Sequence, residues 1–183
     1  MKMLALVFVL LVPATAMADE WGLGLRALSE RVNPSDGGPG GIDMGGAGIL
    51  VRWRISALVG LELGIDGVHG QLDGYDRKTS SATLAATVHL NPESRWDIYL
   101  LAGIGGATDK ITAVDADGMT VEDELKETLL RVGGGVEFRW EHIGVGAELA
   151  GVAFFLQNPE TSSGLVPSKS GGGQLSLFGT FYF

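Results

Sequence analysis

Histidine near serine and carboxylate is the first pattern in this sequence that could do chemistry. A hydrolytic site needs a histidine that contacts both a serine and a carboxylate. His69 could meet such partners if the segments on either side of it pair. His89 falls inside a predicted strand and His142 in a short turn, so neither fits, and we predict no catalytic residues. The partners available to His69 are Asp73, Ser80 and Ser81.

Five arginines and five carboxylates form a second group, at alternating positions that share one face of the predicted strands. Charges removed from bulk water need partners, because an unpaired buried ion costs several kcal/mol. We therefore predict an ion-pair network filling a lumen, with Arg52 close to Glu62 and Arg139 near Asp97. Equal numbers of each sign would leave that lumen balanced. The ten residues are Arg26, Arg52, Arg54, Glu62, Asp66, Asp97, Arg131, Glu137, Arg139 and Glu148.

Cofactor, metal and nucleic-acid sites are not predicted. The chain has no cysteine, which excludes disulfides, thiolate metal sites and a thiol nucleophile. Asp115 and Asp117 precede Gly118, but their spacing does not complete a calcium-binding EF-hand loop. The glycine clusters lack the helix and lysine of a phosphate loop. A formal net charge of −9 argues against nucleic acid as a partner.

Period-two alternation recurs along the chain and predicts the strands that position these side chains. Three short turns alternate with four long polar loops, a pattern typical of up-and-down barrels in membranes. The predicted strands are Trp21 to Leu28, Gly45 to Ile55, Leu58 to Val68, Ser81 to Leu90, Trp96 to Ala107, Leu125 to Trp140, Ile143 to Phe155 and Gly172 to Phe183. The predicted long loops are Ser29 to Met44, His69 to Ser80, Thr108 to Glu124 and Gln157 to Gly171.

One face of every predicted strand is apolar and uncharged, while the other holds glycine, threonine and the ten ionisable residues. A soluble barrel, such as a lipocalin-like carrier, would turn its apolar side inward. Hydrocarbon offers no hydrogen-bond partner, so a sheet in lipid must close on itself. The sequence therefore predicts an all-β, eight-stranded antiparallel up-and-down transmembrane β-barrel, with residues 19–183 as one domain.

Aromatic residues on the apolar face gather at the end predicted to carry both termini. Amphipathic rings favour the membrane interface, so these residues predict an interface belt. The belt consists of Trp21, Trp53, Trp96, Trp140, Phe181 and Phe183.

The first eighteen residues have the pattern of a removable secretory signal peptide. Lys2 supplies the basic start, an apolar run follows from Leu4 to Val12, and Ala16 to Ala18 form a small-x-small cleavage site. We therefore expect residues 1–18 to be removed on export.

The last strand alternates up to a terminal aromatic carboxylate, which resembles the C-terminal signal read by the outer-membrane assembly machinery. Leu175, Leu177, Phe181 and Phe183 carry that pattern. With the leader, strand count and belt, the chain resembles the small eight-stranded bacterial barrels typified by the outer membrane protein A transmembrane domain and the outer membrane protein X and W families. The resemblance is one of architecture.

This resemblance implies export through the periplasm to the outer membrane of a Gram-negative bacterium, among outer-membrane lipid and lipopolysaccharide. We expect a non-enzymatic protein with a structural or surface-interaction role and an unidentified surface partner. A small porin-like diffusion channel is the alternative, and it would need an open lumen. A lipid A-modifying enzyme, an activity known in this barrel class, would depend on His69.

Overall fold

A computed structural model describes residues 20–34, 41–72, 75–114, 120–156 and 169–183. It is a closed barrel in which every strand pairs antiparallel with its chain neighbours and the last strand pairs with the first. The strands are β1 (Glu20–Pro34), β2 (Ile42–Arg54), β3 (Val59–Leu72), β4 (Tyr75–His89), β5 (Trp96–Val114), β6 (Thr120–Trp140), β7 (Ile143–Leu156) and β8 (Lys169–Tyr182). The predicted fold is confirmed, and the predicted signal peptide lies outside the described residues.

The two ends of the barrel differ, with a tight turn at one and long strand extensions at the other. We call the end that carries Glu20 and Phe183 the terminal end and the opposite end the distal end. At the terminal end β6 and β7 are joined by only Glu141 and His142, and Glu141 has a φ of 51°. A positive φ of this kind occurs in tight two-residue hairpins.

At the distal end the strands run well beyond their predicted limits. The predicted loop from His69 to Ser80 is mostly strand, because β3 and β4 leave only residues 73–74 between them. β5 and β6 likewise extend into the predicted loop from Thr108 to Glu124. The outer face stops being apolar before the backbone hydrogen bonding between the strands ends. A strand end predicted from apolar alternation therefore comes too early.

The outer wall is apolar over a continuous band. On β6 the exposed apolar residues run from Leu130 to Trp140, which matches the roughly nine to eleven residues that a tilted strand needs to cross hydrocarbon. Leu100, Val132 and Leu177 are 55%, 65% and 61% exposed. Side chains this apolar cannot face water over the whole wall, so lipid surrounds the barrel. Among the described residues, no helix has the length and apolar character to cross a membrane.

Inward-facing glycines leave the space that long charged side chains occupy. A Cβ at Gly64 would overlap the guanidinium of Arg26, and a Cβ at Gly144 would overlap the carboxylate of Glu137. The interior of an eight-stranded barrel is only wide enough for side chains to fill it. Glycine at these positions therefore lets arginine and glutamate meet near the barrel axis.

Aromatic rings surround the terminal end. The rings of Trp21 and Trp53 stack with centroids 5.1 Å apart and planes 3° from parallel, and these residues are directly paired on β1 and β2. Trp96 packs on Phe138 at 5.0 Å. The rings lie at the edge of the apolar band, and their place at the membrane interface stays a prediction. Trp21, Trp96, Trp140, Phe181 and Phe183 are exposed, and Trp53 is half-buried.

Candidate functional site: the lumen network

Arg52 is the centre of the lumen network. Its Nε donates to Glu62 at 2.9 Å, one terminal nitrogen donates to Glu137 at 2.9 Å, and the other donates to the Tyr99 hydroxyl at 2.7 Å. The guanidinium also lies 4.2 Å from the centroid of the Phe178 ring. These groups come from four other strands, so one buried side chain ties the barrel together across its axis.

Glu62 is held by three arginines. Besides Arg52, Arg26 donates to it at 3.1 Å and Arg131 at 3.3 Å. Arg26 also makes two hydrogen bonds of 2.6 Å to Asp66, the paired geometry that guanidinium and carboxylate groups favour. Each of these side chains is buried, which places the charges where an unmet partner would be costly.

Two of the central carboxylates also accept hydrogen bonds from tyrosine hydroxyls. Glu148 pairs with Arg131 and accepts a hydrogen bond from the Tyr99 hydroxyl at 3.0 Å. Glu137 accepts from the Tyr182 hydroxyl at 2.7 Å. The central network therefore includes two tyrosines that the charge pattern of the sequence did not indicate.

Near the terminal end the network continues around Asp97. Asp97 pairs with Arg54 and contacts Nδ1 of His89 at 2.8 Å. Arg139 lies 3.9 Å from Asp97, but its closest partner is Glu20 at 2.7 Å. Glu20 was not among the ten predicted residues, because it precedes the predicted start of the first strand.

All ten residues predicted for the lumen lie inside the barrel, nine of them buried and Arg139 half-buried. Each takes part in at least one ion pair with another member of the ten.

A distal cluster adds four more buried charges that the sequence prediction missed. Arg77 pairs with Asp109 and also lies 3.7 Å from Glu127. Asp109 accepts a second hydrogen bond, from the Thr79 hydroxyl. Glu30 accepts a hydrogen bond from Gln174 at 2.7 Å. We define the distal cluster as Glu30, Arg77, Asp109 and Glu127.

The distal cluster overturns the prediction of a balanced lumen. It contributes one base and three acids, and Glu20 adds a further acid at the terminal end, so the described lumen holds six arginines against nine carboxylates. Glu30, Arg77 and Asp109 belong to segments that we predicted as loops. A pattern in the sequence did indicate one of them, because Glu30 lies between Leu28 and Val32 at every second position, and all three residues face the lumen.

Burial and the neighbouring acid of the distal cluster raise the pKa of Glu127. This residue lies three positions beyond Leu130, outside the membrane-spanning part of β6. Burial, followed by the neighbouring carboxylate of Asp109, raises the pKa of Glu127 to about 8. Near neutral pH the raised pKa favours the protonated carboxyl, which lowers the negative charge inside the distal end.

An apolar layer packs beside the distal cluster. It is formed by buried side chains from six strands. Its members are Leu28, Val32, Met44, Val68, Ala107, Leu129, Val152 and Phe154. Near the terminal end, a cavity bordered by Arg54, His89 and Tyr182 has a volume of about 10 Å³. That volume is about the space of one water molecule.

His69 at the distal rim does not meet the partners that hydrolysis needs. Its Nε2 lies 2.9 Å from Asp76, and within the described residues no hydrogen bond joins it to Ser80 or Ser81. Asp73 lies outside the described residues. Hydrogen bonds from Gln71 and then His69 lower the pKa of Asp76.

No grouping of histidine and carboxylate residues suited to a metal ion occurs in the described ranges. Asp115 and Asp117, the acidic pair weighed for calcium, fall between β5 and β6 and outside those ranges.

The chain matches the family model of the outer membrane protein beta-barrel domain over residues 3–169. Among solved structures, Neisserial surface protein A superposes with a TM-score of 0.70 at 16% identity, covering 89% of this chain and 97% of that one. Ail, the attachment invasion locus protein of Yersinia pestis, gives 0.60 at 15% identity, covering 90% and 99%. No curated protein matches the sequence.

The structural matches are too low in identity to show more than a shared fold. The match to the outer membrane protein beta-barrel domain, by contrast, covers most of the chain. The protein is therefore located in the outer membrane of a Gram-negative bacterium. The chain belongs to the outer membrane protein beta-barrel domain family.

Proposed function

We propose that this protein is a non-enzymatic, non-conducting outer-membrane barrel with a structural or surface-interaction role. The observation that carries the proposal is the filled lumen. Arg52 and its partners cross the centre of the barrel, and the apolar layer around Phe154 closes the distal half. A diffusion channel would need a continuous wet path, and these two layers of buried side chains lie across the lumen where that path would run.

The surface role is assigned to the distal end, which we place outside the cell. β5 and β6 extend ten residues or more beyond Ile104 and Leu130, the last exposed apolar residues of the band on each strand. Strands and loops held on a rigid barrel are well placed to meet partners. A solved structure of the neighbour Ail holds the heparin analogue sucrose octasulfate, which is a precedent for ligand binding by a barrel of this shape.

Three further assignments complete the proposal. The apolar band contacts outer-membrane lipid and lipopolysaccharide. The alternating C-terminal strand, which ends at Phe183, is the segment recognised by the assembly machinery. Enzymatic activity is not assigned, since the hydrogen bond of His69 goes to Asp76 and neither nearby serine joins it within the described residues.

Conductance in planar lipid bilayers tests the sealed lumen. We expect the purified full-length protein to give no current steps above the bare-bilayer baseline, because charged and apolar side chains fill the barrel. A large-pore porin in the same bilayers serves as the positive control. Reproducible steps that scale with salt concentration would contradict the proposal and favour the porin-like diffusion channel.

A further inference from the structure

Three of the protein's five lysines lie together in one patch of the outer wall. Every lumen cation described above is an arginine, whereas the three lysines with described side chains lie on adjacent strands. Lys78 on β4 is directly paired with Lys110 on β5. Lys126 on β6 is paired with Thr108, which makes it the diagonal neighbour of Lys110. We define the lysine patch as these three residues.

The lysine patch concentrates like charge that its exposed acidic neighbours offset only weakly. Like charges directly opposite each other on neighbouring strands are destabilising. The side chains of Lys78 and Lys110 are 65% and 55% exposed. Their acidic neighbours are Asp76 at 3.8 Å and Glu124 at 3.4 Å, and exposed pairs of this kind contribute little.

Lys126 has no ion-pair partner among the residues that the structure describes. The acidic neighbours of the patch are Asp76, Glu122 and Glu124, and all three lie level with Lys110 or beyond it, away from the apolar band. The side of the patch that faces the membrane therefore keeps unmatched positive charge.

A shallow groove begins next to the patch, on the side toward the apolar band. Its volume is about 420 Å³, and small residues form its floor while Lys126 borders it. A Cβ at Gly106 would meet only one backbone oxygen, at 3.9 Å, so the barrel itself does not require glycine there. The outward-facing floor residues are Ser80, Ala82, Gly106 and Thr108.

The groove continues into the lipid-facing band. Ala82 and Gly106 are directly paired, and the next outward positions toward the membrane are Leu84 and Ile104, also a direct pair. Both are exposed apolar residues. A ligand lying in the groove would therefore contact positive charge at its head and hydrocarbon-facing side chains along its tail.

We propose that β4, β5 and β6 bind one phosphorylated, acylated glycolipid of the outer leaflet. Its phosphate contacts Lys78, Lys110 and Lys126, and one acyl chain lies in the groove over Gly106. A membrane lipid is favoured over a soluble polyanion because the site is on the side wall at the border of the band. The inference rests on the proposed function only in placing the distal end outside.

Native mass spectrometry of the full-length protein in detergent micelles tests this site. The probe is bisphosphorylated, hexa-acylated lipid A. We expect K78Q/K110Q to weaken binding at least tenfold, and G106L, which fills the groove, to weaken it at least fivefold. The matched control R31Q/R95Q removes the same two charges, one from the exposed position of Arg31 on β1 and one from the turn before β5, and should bind like the wild type.

Each alternative outcome has a defined meaning. Unchanged lipid A binding by K78Q/K110Q would overturn the site, as would an equal loss in R31Q/R95Q. Binding of sucrose octasulfate as tight as that of lipid A would overturn the lipid assignment and indicate a soluble polyanion. Heat-modifiable electrophoretic mobility verifies that each variant is folded. Bilayer conductance is independent of these variants, so failure here leaves the sealed lumen untouched.

Discussion

Replacing Arg52 with alanine is expected to destabilise the barrel by about 3–5 kcal/mol, the cost of breaking a buried ion pair by removing one partner. The substitution leaves Glu62 and Glu137 close together without the guanidinium between them, and it removes the donor to Tyr99. Urea unfolding in phospholipid vesicles, followed by the fluorescence of the four tryptophans, measures the change in unfolding free energy.

Arg31→Ala is the matched control for that experiment. Arg31 also faces an acid, Asp43 at 3.7 Å, but both side chains are largely exposed, so little change is expected. Arg52→Lys should fall between the two, since it keeps the charge and loses the planar fork. A loss below 1 kcal/mol for Arg52→Ala would show that the lumen charges do not depend on one another.

Placing an arginine in the middle of the lipid-facing band is expected to cost about 2–4 kcal/mol. Leu100 is the position of choice, because it is exposed and central among the outward apolar residues of β5, from Trp96 to Ile104. The guanidinium of Leu100→Arg would have to remain in hydrocarbon or draw water toward it. The same unfolding measurement in vesicles reports the loss.

Thr112→Arg provides the control on the same strand. Thr112 faces outward beyond the band, so arginine there should change the unfolding free energy little. If Leu100→Arg and Thr112→Arg had equal effects, the band between Trp96 and Ile104 would not be in lipid. The difference between the two variants therefore matters more than either value alone.

The strand order and the two faces could be predicted because they depend on local alternation. A barrel wall between lipid and a charged lumen requires side chains to change environment at every residue, and this repeats along each strand. Leu100 and Tyr99 show the principle, since adjacent residues on β5 are exposed and buried. Short-range pairing was predictable for the same reason, as with Arg52 and Glu62, ten positions apart.

The distal cluster could not be found from apolar alternation alone. Beyond the membrane the outer face becomes polar, so Glu30 and Asp109 lie in segments without an apolar outer face even though their strands continue. The ion pairs between strands that are not neighbours also escaped prediction. Arg52 and Glu137 are 85 positions apart on strands that are not neighbours, and only the closed barrel brings them together.

The proposed structure and function depend on apolar side chains facing lipid and charged side chains facing the lumen. Contacts between the protein and acyl chains, measured by NMR, test this arrangement most directly. The full-length protein, labelled at leucine and valine methyl groups, would be studied in detergent micelles. We predict cross-peaks from the acyl chains to Leu100, Val132 and Leu177, and none to the buried Leu50 and Leu101. Cross-peaks to Leu50 and Leu101 with none to Leu100 and Leu177 would contradict it.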